Sequence, residues 1–360
     1  MDEKSEIIDV HHHIVPKEYV KSLSDEGVKK AIGVNFPGWS ANKALKIMDK
    51  YGISKSILSI SAPGVYFKDK NLELAKELSR QTNEICIGLI NDHPDRFCAF
   101  ATLPLPDVDA AKEELEYALD ELKLDGVVLL TNYDGYYLGD SRFDKLFIEL
   151  NRRKAVVFIH PATPPGFEQS HLGFPEAMMD VCFETTRTVF SMIVNGVTKK
   201  YPDIRFILSH AGGTVPYTAA RLSVLSSLFE GLGGVAPYIA EGANLFTHLI
   251  PKLKENFQEQ LNLYLNFKEN MPDGPEVYLK RFYYDTALSA SPHAFACLQT
   301  LVDTSQIIFG SDYVWATEAA VPATIKGIRE YEGFKASDIS DIMNDNALNL
   351  FPRFKKIVNI

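Results

Sequence analysis

Short apolar runs alternate along the chain with longer segments that have helical periodicity. The runs are rich in Val, Ile, Leu and Phe and are bounded by Gly, Pro or polar residues, which is typical of buried strands. Their hydrophobicity is continuous rather than alternating, so it predicts parallel strands that helices cover on both faces. The predicted strands are 7–10, 55–61, 97–102, 124–130, 155–160, 204–210, 281–287 and 306–312.

Eight strand–helix units predict an α/β fold, the (β/α)8 or TIM barrel, with residues 1–360 forming one domain. The alternative is a doubly wound open sheet, which usually carries a Gly-rich phosphate-binding turn. No GxGxxG follows any of the strands, so the barrel is favoured. Residues 230–278 break the alternation, and we predict a helical insertion there, before strand 7.

The bulk composition excludes several classes of partner. The net charge of −10 argues against a nucleic-acid or anionic-membrane surface. The charged segment 1–6 lacks the apolar core of a secretion signal, and no apolar run approaches the roughly 18 residues needed to cross a bilayer. The four cysteines are scattered, which predicts free thiols. We expect a cytoplasmic protein.

Polar residues at the strand ends carry the candidate chemistry. His11 and His13 are separated by one residue in a strand, so they project to the same face while His12 points away. In a (β/α)8 barrel the site lies at the C-terminal ends of the strands. A lone strand-end histidine is more often structural, but five such groups at one pole predict a metal site. The other three are His160, His210 and Asp312.

Several motifs resemble those of the amidohydrolase superfamily over nearly the whole chain. Within it, the sequence is most similar to the aminocarboxymuconate-semialdehyde decarboxylase branch, which also contains hydroxybenzoate decarboxylases. Residues 39–64 look most like the 6-methylsalicylate decarboxylase group. The motifs that carry the resemblance are Asp9–Pro16, Phe158–Pro161, Ser209–Gly213, Tyr284–Thr286 and Phe309–Tyr313.

The resemblance implies that His11, His13, His160 and Asp312 are metal ligands and that His210 is a catalytic histidine beside them. Three imidazoles and one carboxylate suit Zn²⁺, with Mn²⁺ as the alternative. We expect one ion. Binuclear superfamily members usually have a carboxylated lysine at the end of strand 4, where this sequence has Leu-Leu-Thr-Asn.

The resemblance also implies substrate contacts. Arg221 corresponds in spacing to an arginine that binds the substrate carboxylate and can come from the other subunit of a homodimer. Trp39, Phe67 and Trp315 lie in loops at the same pole, and we expect them to stack on an aryl ring. The chain has no arginine before Arg80, which counts against the dicarboxylate semialdehyde as substrate.

The implied function is metal-dependent, non-oxidative decarboxylation of a small aromatic acid of the ortho-hydroxybenzoate type. Asp312 and His210 are the candidate catalytic residues that deliver the proton to the ring carbon. The same ligands would also support hydrolysis of a lactone, ester or amide by a metal-activated water. A third interpretation is a barrel that keeps a structural metal and has no activity.

Overall fold

One sheet of parallel strands, arranged in chain order, forms the centre of the computed structural model, which describes residues 6–67, 71–169, 173–224 and 265–354. The predicted barrel and all eight predicted strands are confirmed. The strands are β1 (Ile7–His13), β2 (Ile53–Ser59), β3 (Phe97–Thr102), β4 (Gly126–Leu130), β5 (Val156–His160), β6 (Arg205–Leu208), β7 (Tyr283–Asp285) and β8 (Ile307–Ile308).

The segment after β8 brings the chain back to β1. The N–H of Val10 donates to the carbonyl of Phe309 at 3.0 Å, and the N–H of Asp312 donates to the carbonyl of His11 at 2.9 Å. Gly310 allows this close approach, because a Cβ there would lie 2.8 Å from the Cβ of His11. The first and last strands are therefore joined beside the histidines of β1.

Helices surround the sheet. The long helix after β2 begins at Leu72, where the Asn71 side chain accepts a hydrogen bond from the N–H of Leu74 at 3.1 Å. None of the described helices is long and apolar enough to cross a membrane. The helices are Lys17–Asp25, Ala41–Tyr51, Leu72–Asp92, Val108–Glu116, Asp144–Arg152, Asp180–Val194, Val197–Lys200, 215–224, 265–270, Pro275–Leu279, Pro292–Gln299, Ala320–Glu330, Ala336–Ser340 and Asn346–Leu350.

The strand alternation divides the core into two layers. Ile8 and Val10 belong to the inner cluster within the barrel, whereas Ile7 belongs to the outer cluster between strands and helices. The C-terminal helix Asn346–Leu350 contributes Leu350 to the inner cluster. All four cysteines are free, as the sequence predicts.

Most of the predicted insertion at 230–278 lies outside the described residues. Within the described part, residues 265–270 and Pro275–Leu279 are helical. The insertion, the single-domain assignment and the cytoplasmic location stay predictions.

Candidate metal centre

The side-chain alternation of β1 places two imidazoles together. The Nε2 atoms of His11 and His13 lie 2.8 Å apart, and the two rings are nearly perpendicular. His12 faces the other way, with its Nδ1 atom 3.1 Å from Oδ2 of Asp9. The pairing expected from the strand period is therefore present.

His160 at the end of β5 and Asp312 after β8 complete a buried group of potential metal ligands. One ligand atom from each of His11, His13, His160 and Asp312 lies within 4.8 Å of every other. Asp312 has a left-handed backbone with φ of 57°, which a residue other than glycine rarely adopts. This turn, rather than an extended strand, brings its carboxylate onto the histidines.

The spacing of these atoms fits one divalent cation. Oδ1 of Asp312 lies 3.3 Å from Nε2 of both His11 and His13. Metal–nitrogen distances of about 2.0–2.1 Å place the ligands of a tetrahedral Zn²⁺ site about 3.3 Å apart. The same Oδ1 atom is buried and has no hydrogen-bond partner among the described residues. A divalent cation would supply the missing partner.

A second set of contacts orients each imidazole through its Nδ1 atom. Nδ1 of His11 lies 2.7 Å from Oδ2 of Asp285, and Nδ1 of His160 lies 2.9 Å from the carbonyl of Pro161. Nδ1 of His13 lies 3.2 Å from the hydroxyl of Ser59. With Nδ1 engaged in this way, the Nε2 atoms remain available to a metal.

The electrostatics differ among the ligands. Burial lowers the pKa of His11, but the carboxylates of Asp285 and Asp312 outweigh it and raise the pKa to about 10. Burial lowers the pKa of His13 to about 4 and that of His160 well below its ordinary value. The pKa of Asp312 is held well below its usual range, because His11, His13 and His210 outweigh the effect of burial. The cluster therefore favours an ionised Asp312 and neutral imidazoles at His13 and His160, whereas the carboxylates favour the protonated form of His11.

Asp285 links the ligand group to His210. Its Oδ1 atom accepts hydrogen bonds from the N–H groups of His210 and Ala287, at 2.8 and 2.9 Å, while Oδ2 contacts His11. Asp285 belongs to one of the motifs that carry the family resemblance, but no role is predicted for it from the sequence. Asp285 lies at the C-terminal end of β7, and the histidines were predicted from the same kind of position at the ends of their strands.

His210 lies beside the proposed ligands. Its Nε2 atom is 3.4 Å from Oδ2 of Asp312, and its Nδ1 atom is buried without a hydrogen-bond partner in the described part of the chain. His210 and Ala211 both have positive φ, 55° and 54°, so β6 ends in a turn that directs the imidazole towards the metal ligands. The structure thus brings together all five polar groups expected at this pole.

A largely apolar pocket opens above His160, His210 and Asp312. The only other lining residues with polar side-chain atoms are Ser61 and Trp315, and none of the described lining residues is a lysine or an arginine. The remaining walls consist of Ala31, Ile32, Val34, Ala177, Val181, Leu288 and Ala316.

Of the four predicted substrate contacts, the pocket contains Trp315. Trp39 and Phe67 are half-buried and pack against the outer core cluster, and neither lines the pocket. Arg221 is exposed on helix 215–224 and does not line the pocket of its own chain. Their roles stay predictions.

The amidohydrolase family model matches residues 8–353, nearly the whole chain. The chain belongs to this family. The decarboxylase yanB of Aspergillus niger is 33% identical, with 97% of this chain and 88% of that protein covered. The 6-methylsalicylic acid decarboxylase acuB of Aspergillus aculeatus is 31% identical, with 97% of each chain covered. The predicted resemblance is confirmed.

The fold of this amidohydrolase is shared with solved structures of lower sequence identity. A dihydroxybenzoic acid decarboxylase from Polaromonas sp. JS666, solved with bound manganese and an inhibitor, superposes with a TM-score of 0.73. The two chains are 20% identical, and 97% of each is covered.

The end of β4, where binuclear superfamily members carry their lysine, is occupied by other contacts in this amidohydrolase. The hydroxyl of Thr131 accepts a hydrogen bond from the N–H of Ala162 at 3.0 Å. The side-chain amide of Asn132 donates to the buried carboxylate of Glu184 at 2.8 Å. These contacts are compatible with the expected single ion, which stays a prediction.

Proposed function

We propose that this amidohydrolase is a metal-dependent, non-oxidative decarboxylase of a small aromatic acid that carries a hydroxyl group ortho to its carboxylate. The observation that carries the proposal is the position of the buried His/His/His/Asp group at an apolar pocket whose described lining contains no basic residue. Such a pocket suits an aryl ring whose anionic oxygens face the metal ligands. The decarboxylases yanB and acuB, each similar over nearly the whole chain, support the same chemistry.

The pocket gives the substrate one orientation. A divalent cation held by His11, His13, His160 and Asp312 would supply a Lewis acid for the carboxylate and the adjacent phenolic oxygen. The apolar walls, with Trp315 among them, contact the ring and exclude water from it. The carboxylate-bearing carbon is thereby held near the side chains that can protonate it.

Decarboxylation breaks the bond from the ring carbon to the carboxylate and replaces it with a C–H bond, so a proton must reach that carbon. Nε2 of His210 and Oδ2 of Asp312 lie 3.4 Å apart at the metal side of the pocket. Either atom can hold the proton, and their separation permits transfer between them after a small movement. These two residues are the proposed catalytic pair.

The test is CO₂ release from a panel of 2-hydroxybenzoates, with the metal content of the protein measured in the same samples. Release of CO₂ together with the matching phenol is the expected result. Hydrolysis of lactones, esters or amides without CO₂ release would contradict the proposal and support the hydrolase alternative. Absence of both activities in metal-loaded protein would favour a structural metal.

For the metal itself we propose Zn²⁺, with Mn²⁺ as the alternative. A ligand set of three imidazole nitrogens and one carboxylate oxygen favours Zn²⁺, whereas the Polaromonas structure contains manganese. Elemental analysis of the purified protein, followed by reconstitution of the apoprotein with each metal, separates the two. Full activity with Mn²⁺ and none with Zn²⁺ would contradict our choice.

We also propose a homodimer, with a surface near the pocket as the contact. Met178, Phe183, Tyr217 and Val224 are exposed apolar residues, with Tyr217 81% exposed. They lie on neighbouring segments that a hydrogen bond between the hydroxyls of Thr186 and Thr214 joins at 2.8 Å. Sedimentation should give twice the chain mass of 40.3 kDa, and Tyr217→Ser should shift the mass towards the monomer.

A further inference from the structure

A β-hairpin between helices Lys17–Asp25 and Ala41–Tyr51 forms one wall of the pocket. Lys30–Ala31 pairs antiparallel with Val34–Asn35, and Ala31, Ile32 and Val34 all line the pocket. The two turn residues, Ile32 and Gly33, have positive φ angles of 48° and 74°, as a tight two-residue hairpin turn requires. The hairpin therefore presents aliphatic side chains to the space in which the substrate ring would lie.

The hairpin turn packs against a segment from the loop after β5. A Cβ at Gly33 would lie 2.9 Å from Cβ of Pro175, so only glycine fits without movement. The N–H of Ala177 approaches the carbonyl of Ile32 at 3.4 Å. Ala177 and Val181 continue the same aliphatic wall, which two separate loops thus build together.

This wall cannot form side-chain hydrogen bonds. Ile32, Val34, Ala177 and Val181 have only hydrocarbon side chains, and Val34 is still 36% exposed beside the pocket. A methyl group against such a wall would lose unfavourable contact with water. A hydroxyl group in the same place would lose hydrogen bonds to water without replacement.

We propose that hairpin 30–35 determines ring-substituent specificity, selecting an alkyl group over a hydroxyl group of similar size. The inference rests on the proposed decarboxylase function, because it assumes that an aryl acid lies with its oxygens towards the metal ligands. The hairpin contributes substrate selection, while the conversion itself depends on the residues at the strand ends.

The test compares matched methyl- and hydroxyl-substituted 2-hydroxybenzoates at each ring position, using metal-loaded protein. For at least one position we expect a methyl-over-hydroxyl ratio in kcat/KM of about tenfold or more. The double variant Ile32→Asn/Val34→Asn should reduce that ratio to near one. Gly33→Ala, which displaces the same hairpin from Pro175, should also reduce the ratio. Ile148→Asn, at an exposed position on helix Asp144–Arg152, is the control and should retain it.

The outcomes separate this inference from the proposed function. If the wild-type protein releases CO₂ but shows no methyl preference, or if the hairpin variants keep the wild-type ratio, the specificity proposal is wrong and the decarboxylase proposal stands. If no compound yields CO₂, the decarboxylase proposal fails, and calorimetric binding of the same compounds then tests the wall. If the wild-type protein binds the methyl compounds more tightly and Ile32→Asn/Val34→Asn removes that preference, the hairpin's role is still supported. If the wild-type protein shows no methyl preference in affinity, the hairpin's role is overturned.

Discussion

At the scale of single residues, the two carboxyl oxygens of Asp285 connect parts of the site that are distant in sequence. One oxygen contacts Nδ1 of His11, and the other accepts hydrogen bonds from the backbone of His210 and Ala287. The carboxylate is fully buried, so each of these contacts is shielded from solvent. Asp285 therefore fixes the tautomer of a proposed metal ligand and the position of the proposed catalytic histidine together.

Asp285→Asn should weaken metal binding about 10- to 100-fold, the usual effect of losing such an orienting carboxylate. The amide oxygen of the variant can still accept hydrogen bonds from the backbone N–H groups. Its NH₂ group then faces Nδ1 of His11, where the wild-type protein has a carboxylate oxygen. Competition with a chelator measures the change in metal affinity. Asp109→Asn, at an exposed carboxylate paired with Lys145, serves as the control. Equal metal affinity for the Asp285→Asn variant and the wild-type protein would refute the orienting role.

His210→Ala tests the proton-transfer role separately from metal binding. His210 is not among the four proposed ligands, so the variant should keep close to one metal ion per chain. Turnover should fall by about 10²- to 10⁴-fold, which is the usual contribution of a positioned acid or base. Metal analysis and CO₂ release on the same sample measure both quantities. Unchanged turnover would remove His210 from the mechanism.

At the scale of elements, the junction between β1 and the segment after β8 depends on Asp9. Its carboxylate accepts hydrogen bonds from the N–H of His11 and from both the N–H and the hydroxyl of Ser311. The same carboxylate contacts Nδ1 of His12. The side chain is completely buried. Both segments that carry proposed metal ligands at this junction are thus held by one carboxylate.

Asp9→Ala should destabilise the fold by about 3 kcal/mol, because several buried donors lose their acceptor. Urea unfolding of metal-loaded protein measures the free energy of unfolding. The control is Asp49→Ala, which removes a mostly exposed carboxylate paired with Arg96 and should cost less than about 1 kcal/mol. A similar loss in both variants would show that Asp9 has no special role in closing the barrel.

The strands could be predicted because parallel strands buried on both faces leave continuous apolar runs in the sequence. Among the strand ends that differ from the prediction, two precede site residues: β6 stops at Leu208 rather than 210, and β8 stops at Ile308 rather than 312. Left-handed φ angles at His210 and Asp312 turn the backbone out of the extended form there. Strand periodicity assumes an extended chain, so it could not give the final direction of either side chain.

The pocket walls were less predictable than the metal ligands. The ligands end apolar strands, whereas hairpin 30–35 lies in a mixed loop with neither helical nor strand periodicity. The sequence suggests aromatic loop residues as walls, yet only Trp315 among the four expected contacts lines the pocket. Which loop residues face the pocket depends on contacts such as Gly33 against Pro175, which join segments far apart in sequence.

At the scale of the whole molecule, the proposed dimer would explain an arginine that lies outside its own pocket. Arg221 is exposed on helix 215–224, whose residues Tyr217 and Val224 belong to the exposed apolar surface near the pocket. A two-fold symmetric contact through this surface would bring each Arg221 towards the other subunit. The pocket has no basic lining residue in the part of the chain that the structure describes, so a charged group from the partner would complete it.

Arg221→Ala and His210→Ala can be combined to test this arrangement. Each variant alone should be nearly inactive, with Arg221→Ala lowering kcat/KM about a hundredfold through loss of a charged contact. A heterodimer of the two, isolated with two different tags, would hold one intact site if Arg221 acts across the interface. It should then show about half of the wild-type activity per dimer, because two-fold symmetry gives each dimer two sites. An inactive heterodimer would place Arg221 in its own chain's site, and full activity of Arg221→Ala alone would exclude it from substrate binding.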